Sequence, residues 1–120
     1  MMTTQTLETA QDTRTIRLAD GDGWFTVCDR ELLTPGRGVA ALLPDGRQVA
    51  LFVDRSGRVH AIDNRDPFTG AYVLSRGLVG SAGGRPFVAS PLLKQRFDLE
   101  TGACLDDDEV SVPVFAVRAD

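Results

Sequence analysis

Val88–Gly102, VASPLLKQRFDLETG, carries a strand end, a proline-bearing loop, a second short strand and a Thr-Gly turn. Loops framed this way often hold a metal centre, yet Ser90 and Leu93 stand where ligands are expected. Other groups able to do chemistry are sparse. Asn64, Asp66 and Ser90 offer hard oxygen atoms, which suit Mg²⁺ or Ca²⁺ better than soft metals. His60 is the only histidine and falls on an expected strand, where a half-exposed position accounts for it. Cys28 and Cys104 are too far apart for a C-x-x-C pattern and are expected as free thiols. No serine–histidine–aspartate set has a plausible nucleophile context. GGRP is a turn rather than a phosphate loop. The acidic run Asp106–Glu109 lacks the spaced ligands and mid-loop glycine of a calcium loop, so it reads as a solvated connection.

The elements that must position these residues are short. At 120 residues with 42% hydrophobic and 25% charged content, the composition suits one globular domain. A chain of this size buries roughly 60–68% of its unfolded surface. Thirteen Lys and Arg against seventeen Asp and Glu give a net charge of −4, without the basic face that nucleic acid requires. The longest apolar runs, VAALL and VALFV, fall far short of the ~20 residues that span a bilayer. Residues 1–13 show no apolar core of a secretion signal and read as a disordered tail, leaving 14–120 as the domain and the cytoplasm as the expected compartment.

Turn signals recur at PGRG, PDG, RSG, AGG and ETG. Between them lie runs rich in β-branched and aromatic residues: 24–28, 39–43, 48–54, 58–63, 86–90, 96–99 and 112–118. In QVALFVD, Val49, Leu51 and Val53 face one way while Ala50 and Phe52 face the other, which predicts a strand covered on both sides. Asp45-Gly46 and Ser56-Gly57 predict two consecutive hairpins and a meander over 39–63. CDRELLTPG allows one helical turn, stopped by Pro35. Residues 64–80 read as a long apolar connection that must pack on something. No internal repeat is evident. The expected class is all-β, a small antiparallel barrel or sandwich with a two-loop hairpin subdomain.

GRVHAIDNRDPF followed by FVASPLLKQRFDLETGACL resembles the Rieske iron–sulfur domain, whose two loops have the forms C-x-H and C-x-x-H. On that resemblance the ligand positions fall on Asn64 and Asp66 in the first loop and on Ser90 and Leu93 in the second. Two thiolates and two imidazoles would be needed there, so the resemblance implies a domain without a cluster. NRDPF, VLSRGLVG, SPLLKQRFDLETG and CLDDDEVSVPVF are similar to the small subunit of bacterial NADH-dependent assimilatory nitrite reductase. That family implies a large-subunit partner carrying FAD, an iron–sulfur cluster and sirohaem, which reduces nitrite to ammonium. The present chain would accompany it without catalytic, cofactor-binding or metal-binding residues of its own. A freestanding β-domain that binds another molecule, and a Rieske-type electron carrier, are the alternatives.

Two roles are open for the apolar loop residues Phe68, Tyr72, Leu92 and Leu93. They could form a private mini-core, or part of the set could stay exposed and dock on a partner. Arg65, Arg76, Lys94 and Arg96 surround the same loops as a solvated rim or as orienting charges. Asp66, ahead of Pro67, is expected to set a turn and to hydrogen-bond across the loop bases.

Overall fold

The structure, a computed structural model, describes residues 13–120. The expected tail therefore lies outside the described residues except for Thr13. The chain order is β1 (Thr15–Asp20), β2 (Gly23–Asp29), a 3-10 turn (Arg30–Leu32), β3 (Val39–Leu42), β4 (Gln48–Val53), β5 (Val59–Asp63), a second 3-10 turn (Leu74–Arg76), β6 (Leu78–Ala82), β7 (Arg85–Ala89), β8 (Arg96–Asp98), β9 (Val114–Phe115) and β10 (Val117–Ala119). They form three antiparallel sheets, ordered β10-β1-β2, β3-β4-β5-β9 and β6-β7-β8. The all-β expectation matches, as does the 39–63 meander, whose registers pair Ala40 with Ala50 and Leu51 with Ala61.

Strand β4 separates two apolar clusters, as its pattern predicts. Val49, Leu51 and Val53 join Ile16, Leu18, Leu33, Leu43 and Ala61 on one side. Ala50 and Phe52 join Ile62, Leu74, Val88, Phe97, Leu99, Cys104 and Val112 on the other. Each fully buried large side chain here contributes roughly 1.5–3 kcal/mol. The second cluster carries the β6-β7-β8 hairpins, and with them the two loops of interest.

Four details differ from the sequence expectation. Strand β1 is an additional element: Ile16 and Leu18 alternate inward, and β10 pairs beside them. The run 112–118 is broken at Ala116, so that β9 closes the central sheet and β10 the terminal one. The connection 64–80 is not continuous coil; it contains the second 3-10 turn and most of β6. His60 is buried rather than half-exposed, with its Nε2 2.8 Å from Asp54 Oδ2.

Candidate functional site

The first loop starts where β5 ends. Asp66 is fully buried and donates its backbone N–H to Ala71 O at 2.8 Å, while Gly70 N donates to Asp66 O at 2.7 Å. Phe68 N donates to Asp66 Oδ1 at 2.8 Å, closing an Asx turn over Pro67. The second loop repeats this geometry. Ser90 N donates to Gln95 O at 2.9 Å, Lys94 N to Ser90 O at 3.1 Å, and Leu92 N to Ser90 Oγ at 3.3 Å. A third copy follows β8, where Asp98 N donates to Ala103 O, Gly102 N to Asp98 O, and Glu100 N to Asp98 Oδ1.

The fifth residue of each loop sits in the left-handed region: Gly70 at φ 81°, Lys94 at φ 69° and Gly102 at φ 80°. The sequence does contain a repeat, correcting the expectation of none. DPFTGA (66–71) and DLETGA (98–103) are the same D-x-x-T-G-A turn, and SPLLKQ (90–95) adopts its geometry with Ser, Leu, Lys and Gln in place of Asp, Thr, Gly and Ala. The repeat is too short to stand out as a domain-scale period, but its Thr residues play matching parts. Ala71 N donates to Thr69 Oγ1 and Ala103 N to Thr101 Oγ1, each at 3.2 Å.

One bond joins the first two loops. Ser90 Oγ donates to Asp66 Oδ2 at 2.5 Å, across 24 residues of chain and with both residues fully buried. A hydroxyl on a carboxylate at that distance is a strong, charge-assisted contact. Asn64, also buried, ties the base of the first loop to its surroundings. Its Nδ2 donates to Gln48 Oε1 at 3.2 Å, and its Oδ1 accepts from Ser75 N at 2.8 Å. Gln48 and Ser75 belong to the site, although nothing in the local motif singles them out.

The apolar loop residues divide. Phe68 packs against the inner cluster, with its ring centroid 6.3 Å from that of Phe97. Tyr72, Leu92 and Leu93 are not a mini-core; they remain 52%, 49% and 53% exposed. The cations divide too. Arg96 is held by Asp106 through its backbone N–H and its guanidinium at 2.8–3.2 Å, which raises the Arg96 pKa and lowers that of Asp106. Arg65, Arg76 and Lys94 are exposed and pair with no carboxylate among the described residues. Of the two free cysteines, Cys104 is buried, and burial, followed by the nearby Asp29, pushes the half-buried Cys28 thiol above its usual range.

The Rieske-like [2Fe-2S] domain family matches residues 23–120. The nitrite reductase (NADH) small subunit of Salmonella typhimurium is 47% identical over 96 residues, covering 79% of this chain and 88% of that one. The chain belongs to the NADH nitrite reductase small-subunit family. A crystal structure assigned to such a small subunit from Mycobacterium tuberculosis is 47% identical, covers 91% of this chain and 97% of its own, and superposes with a TM-score of 0.72. A large subunit, that of nitrite reductase [NAD(P)H] from Klebsiella oxytoca, matches over 98 residues at 44% identity. That match takes in 81% of this chain but 10% of the Klebsiella protein.

The [2Fe-2S] group named by the domain family can be tested against the residues present. A Rieske centre needs two thiolates and two imidazoles. The loops offer instead an amide, a carboxylate and a hydroxyl, all buried and engaged in internal bonds, and an exposed hydrocarbon, Leu93. That donor set does not fit the cluster. Among the described residues, no group of three or more His, Cys, Asp or Glu is arranged to hold a metal.

Proposed function

We propose that the chain is a cofactor-free, non-catalytic small subunit of a cytoplasmic NADH-dependent nitrite reductase serving nitrate assimilation. On this reading its large partner carries FAD, sirohaem and an iron–sulfur cluster and converts nitrite to ammonium. The observation that carries the proposal is the Ser90–Asp66 bond. It joins the two loops at positions where a metal centre would otherwise hold them, and it consumes the donors in doing so. Holding the loops in this way keeps Tyr72, Leu92 and Leu93 exposed together with Arg65, Arg76 and Lys94, cations that meet no carboxylate among the described residues. An apolar tip rimmed by charge is the kind of surface that docks on a partner. The match to part of a Klebsiella large subunit supports a domain that works in contact with such a chain.

The test is co-expression with the cognate large subunit. The two chains are expected to co-elute, the isolated small chain to be colourless and free of iron and acid-labile sulfide, and NADH-driven ammonium formation to depend on both. Leu93→Asp, at an exposed position, is expected to keep its thermal melt and weaken co-elution. Stoichiometric iron and sulfide in anaerobically prepared small chain would refute the cofactor-free reading. Unchanged binding by Leu93→Asp would refute docking through this tip.

A further inference from the structure

Strand β6 is an edge of its sheet, with only β7 beside it. The hairpin register fixes which of its backbone groups are spent. Gly83 and Gly84, at φ 58° and 82°, form a two-residue turn, so Ala82 and Arg85 are the hydrogen-bonded pair that closes it. Alternation then makes Gly80–Phe87 and Leu78–Ala89 bonded pairs as well, and leaves Val79 and Ser81 in the open pairs. Pro86 confirms the parity. It stands opposite Ser81, where no donor toward β6 is required, and its carbonyl accepts from Leu99 N on the far side at 3.0 Å. The N–H and C=O groups of Val79 and Ser81 therefore face outward and pair with no backbone group among the described residues.

That outward row borders a groove of about 460 Å³, walled by Pro35, Gly36, Val53 and Arg55. Three carbons at the far end of the Phe87 ring would lie 2.8–3.3 Å from a Cβ at Gly80, so the ring covers that glycine, and Leu78 is the large apolar side chain that the strand leaves exposed. The strand has no lysine and no proline within Leu78–Ala82, two of the residues that commonly block an edge. Asp54, which also lines the groove, is already committed: its carboxylate accepts from Ser56, Arg58 and His60. Arg55 is the charged group in the groove that meets no carboxylate among the described residues.

We infer that β6 accepts an extended segment of the large subunit as an added strand, its backbone bonding Val79 and Ser81 and an acidic side chain meeting Arg55. This rests on the reading of the chain as a docking subunit, but it uses a face other than the loop tip. Alternate-residue protection is its signature, because only outward amides gain a partner.

Amide exchange by NMR on the full chain, free and in complex with the co-expressed large subunit, tests it. The Val79 and Ser81 amides are expected to slow by about 100-fold in the complex, while Gly80 and Ala82 are already slow in the free chain. Val79→Pro removes an outward donor without touching a β6–β7 bond, and is expected to weaken the complex by about tenfold. Arg55→Glu, which leaves the backbone unchanged, is expected to weaken it similarly should the proline variant unfold. A complex in which Val79 and Ser81 still exchange fast overturns the added strand and leaves docking standing. Failure of any complex to form overturns both. Protection that grows with concentration in the free chain assigns the edge to a second copy and overturns the choice of partner.

Discussion

Replacing Ser90 by alanine removes the hydroxyl that bonds Asp66 and, with it, the long 3.3 Å bond from Leu92 N, while the backbone bonds Ser90 N to Gln95 O and Lys94 N to Ser90 O remain. Asp66 Oδ1 keeps the Phe68 amide, whereas Oδ2 loses its hydroxyl partner inside a fully buried site. A hydrogen bond to a charged group is worth about 1.5–3 kcal/mol, and a buried acceptor left unpaired costs toward the upper end. Removing one oxygen opens little volume, so the expected loss is about 2–3 kcal/mol. At about 4 °C per kcal/mol for a chain of this size, Tm falls by about 8–12 °C. Urea unfolding should show a lower midpoint with an unchanged slope. Asp66→Asn preserves an acceptor for Phe68 and offers Ser90 a neutral partner, so it costs less. In its background Ser90→Ala should lose only about 1 kcal/mol, giving a coupling of about 1–2 kcal/mol in the double-mutant cycle. A coupling below about 0.5 kcal/mol would refute the claim that this bond ties the two loops together.

Lys94→Gly should raise stability. A non-glycine residue in the left-handed region costs about 1–2 kcal/mol, glycine's extra chain entropy returns about 0.5–1 kcal/mol of that, and Tm should rise by about 2–4 °C in the same melts. Gly102→Ala should do the reverse by more than about 2 kcal/mol, because a Cβ there meets Val112 O at 2.1 Å with φ at 80°, and chemical denaturation will read the loss. Acid should destabilise the fold through Asp54 and Asp98. Burial raises both pKa values, but hydrogen bonds outweigh it: His60, Ser56 and Arg58 hold Asp54 far below the usual range, and Arg85, Glu100 and Thr101 lower Asp98. Groups lowered in the folded state stabilise it fully above their unfolded value of about 3.9, and that contribution is lost as pH falls further. Melts from pH 6 to 2 should therefore drop most steeply below about pH 4, and Asp54→Asn should flatten that drop.

Much of the fold could be read from residue order. The two-sided burial of β4 follows from Val49, Leu51 and Val53 alternating with Ala50 and Phe52, and the meander follows from its Asp-Gly and Ser-Gly turns. What could not be read were elements whose signal is weak locally. Strand β6 is five residues with a glycine at its centre and two turn glycines just after it, so its pattern is faint, and β7 makes it a strand by pairing. β1 is six residues with two inward positions, too few for a clear alternation, and it is fixed by pairing with β2 along its length and with β10 from the other end of the chain. At the candidate site, the absence of sulfur and imidazole at Asn64, Asp66, Ser90 and Leu93 was plain in the sequence, as was the turn that Asp66 sets.

Local order thus determined the strands with clear alternation, the turns, and the kinds of atom the two loops can offer. Tertiary structure alone decided that Ser90 meets Asp66, that Tyr72, Leu92 and Leu93 stay exposed while Phe68 goes inward, and that Arg96 is spent on Asp106. The physical reason is range. A turn or an alternating strand is set by neighbours along the chain, whereas a hydrogen bond across 24 residues exists only once two sheets have packed and brought both loops to one end.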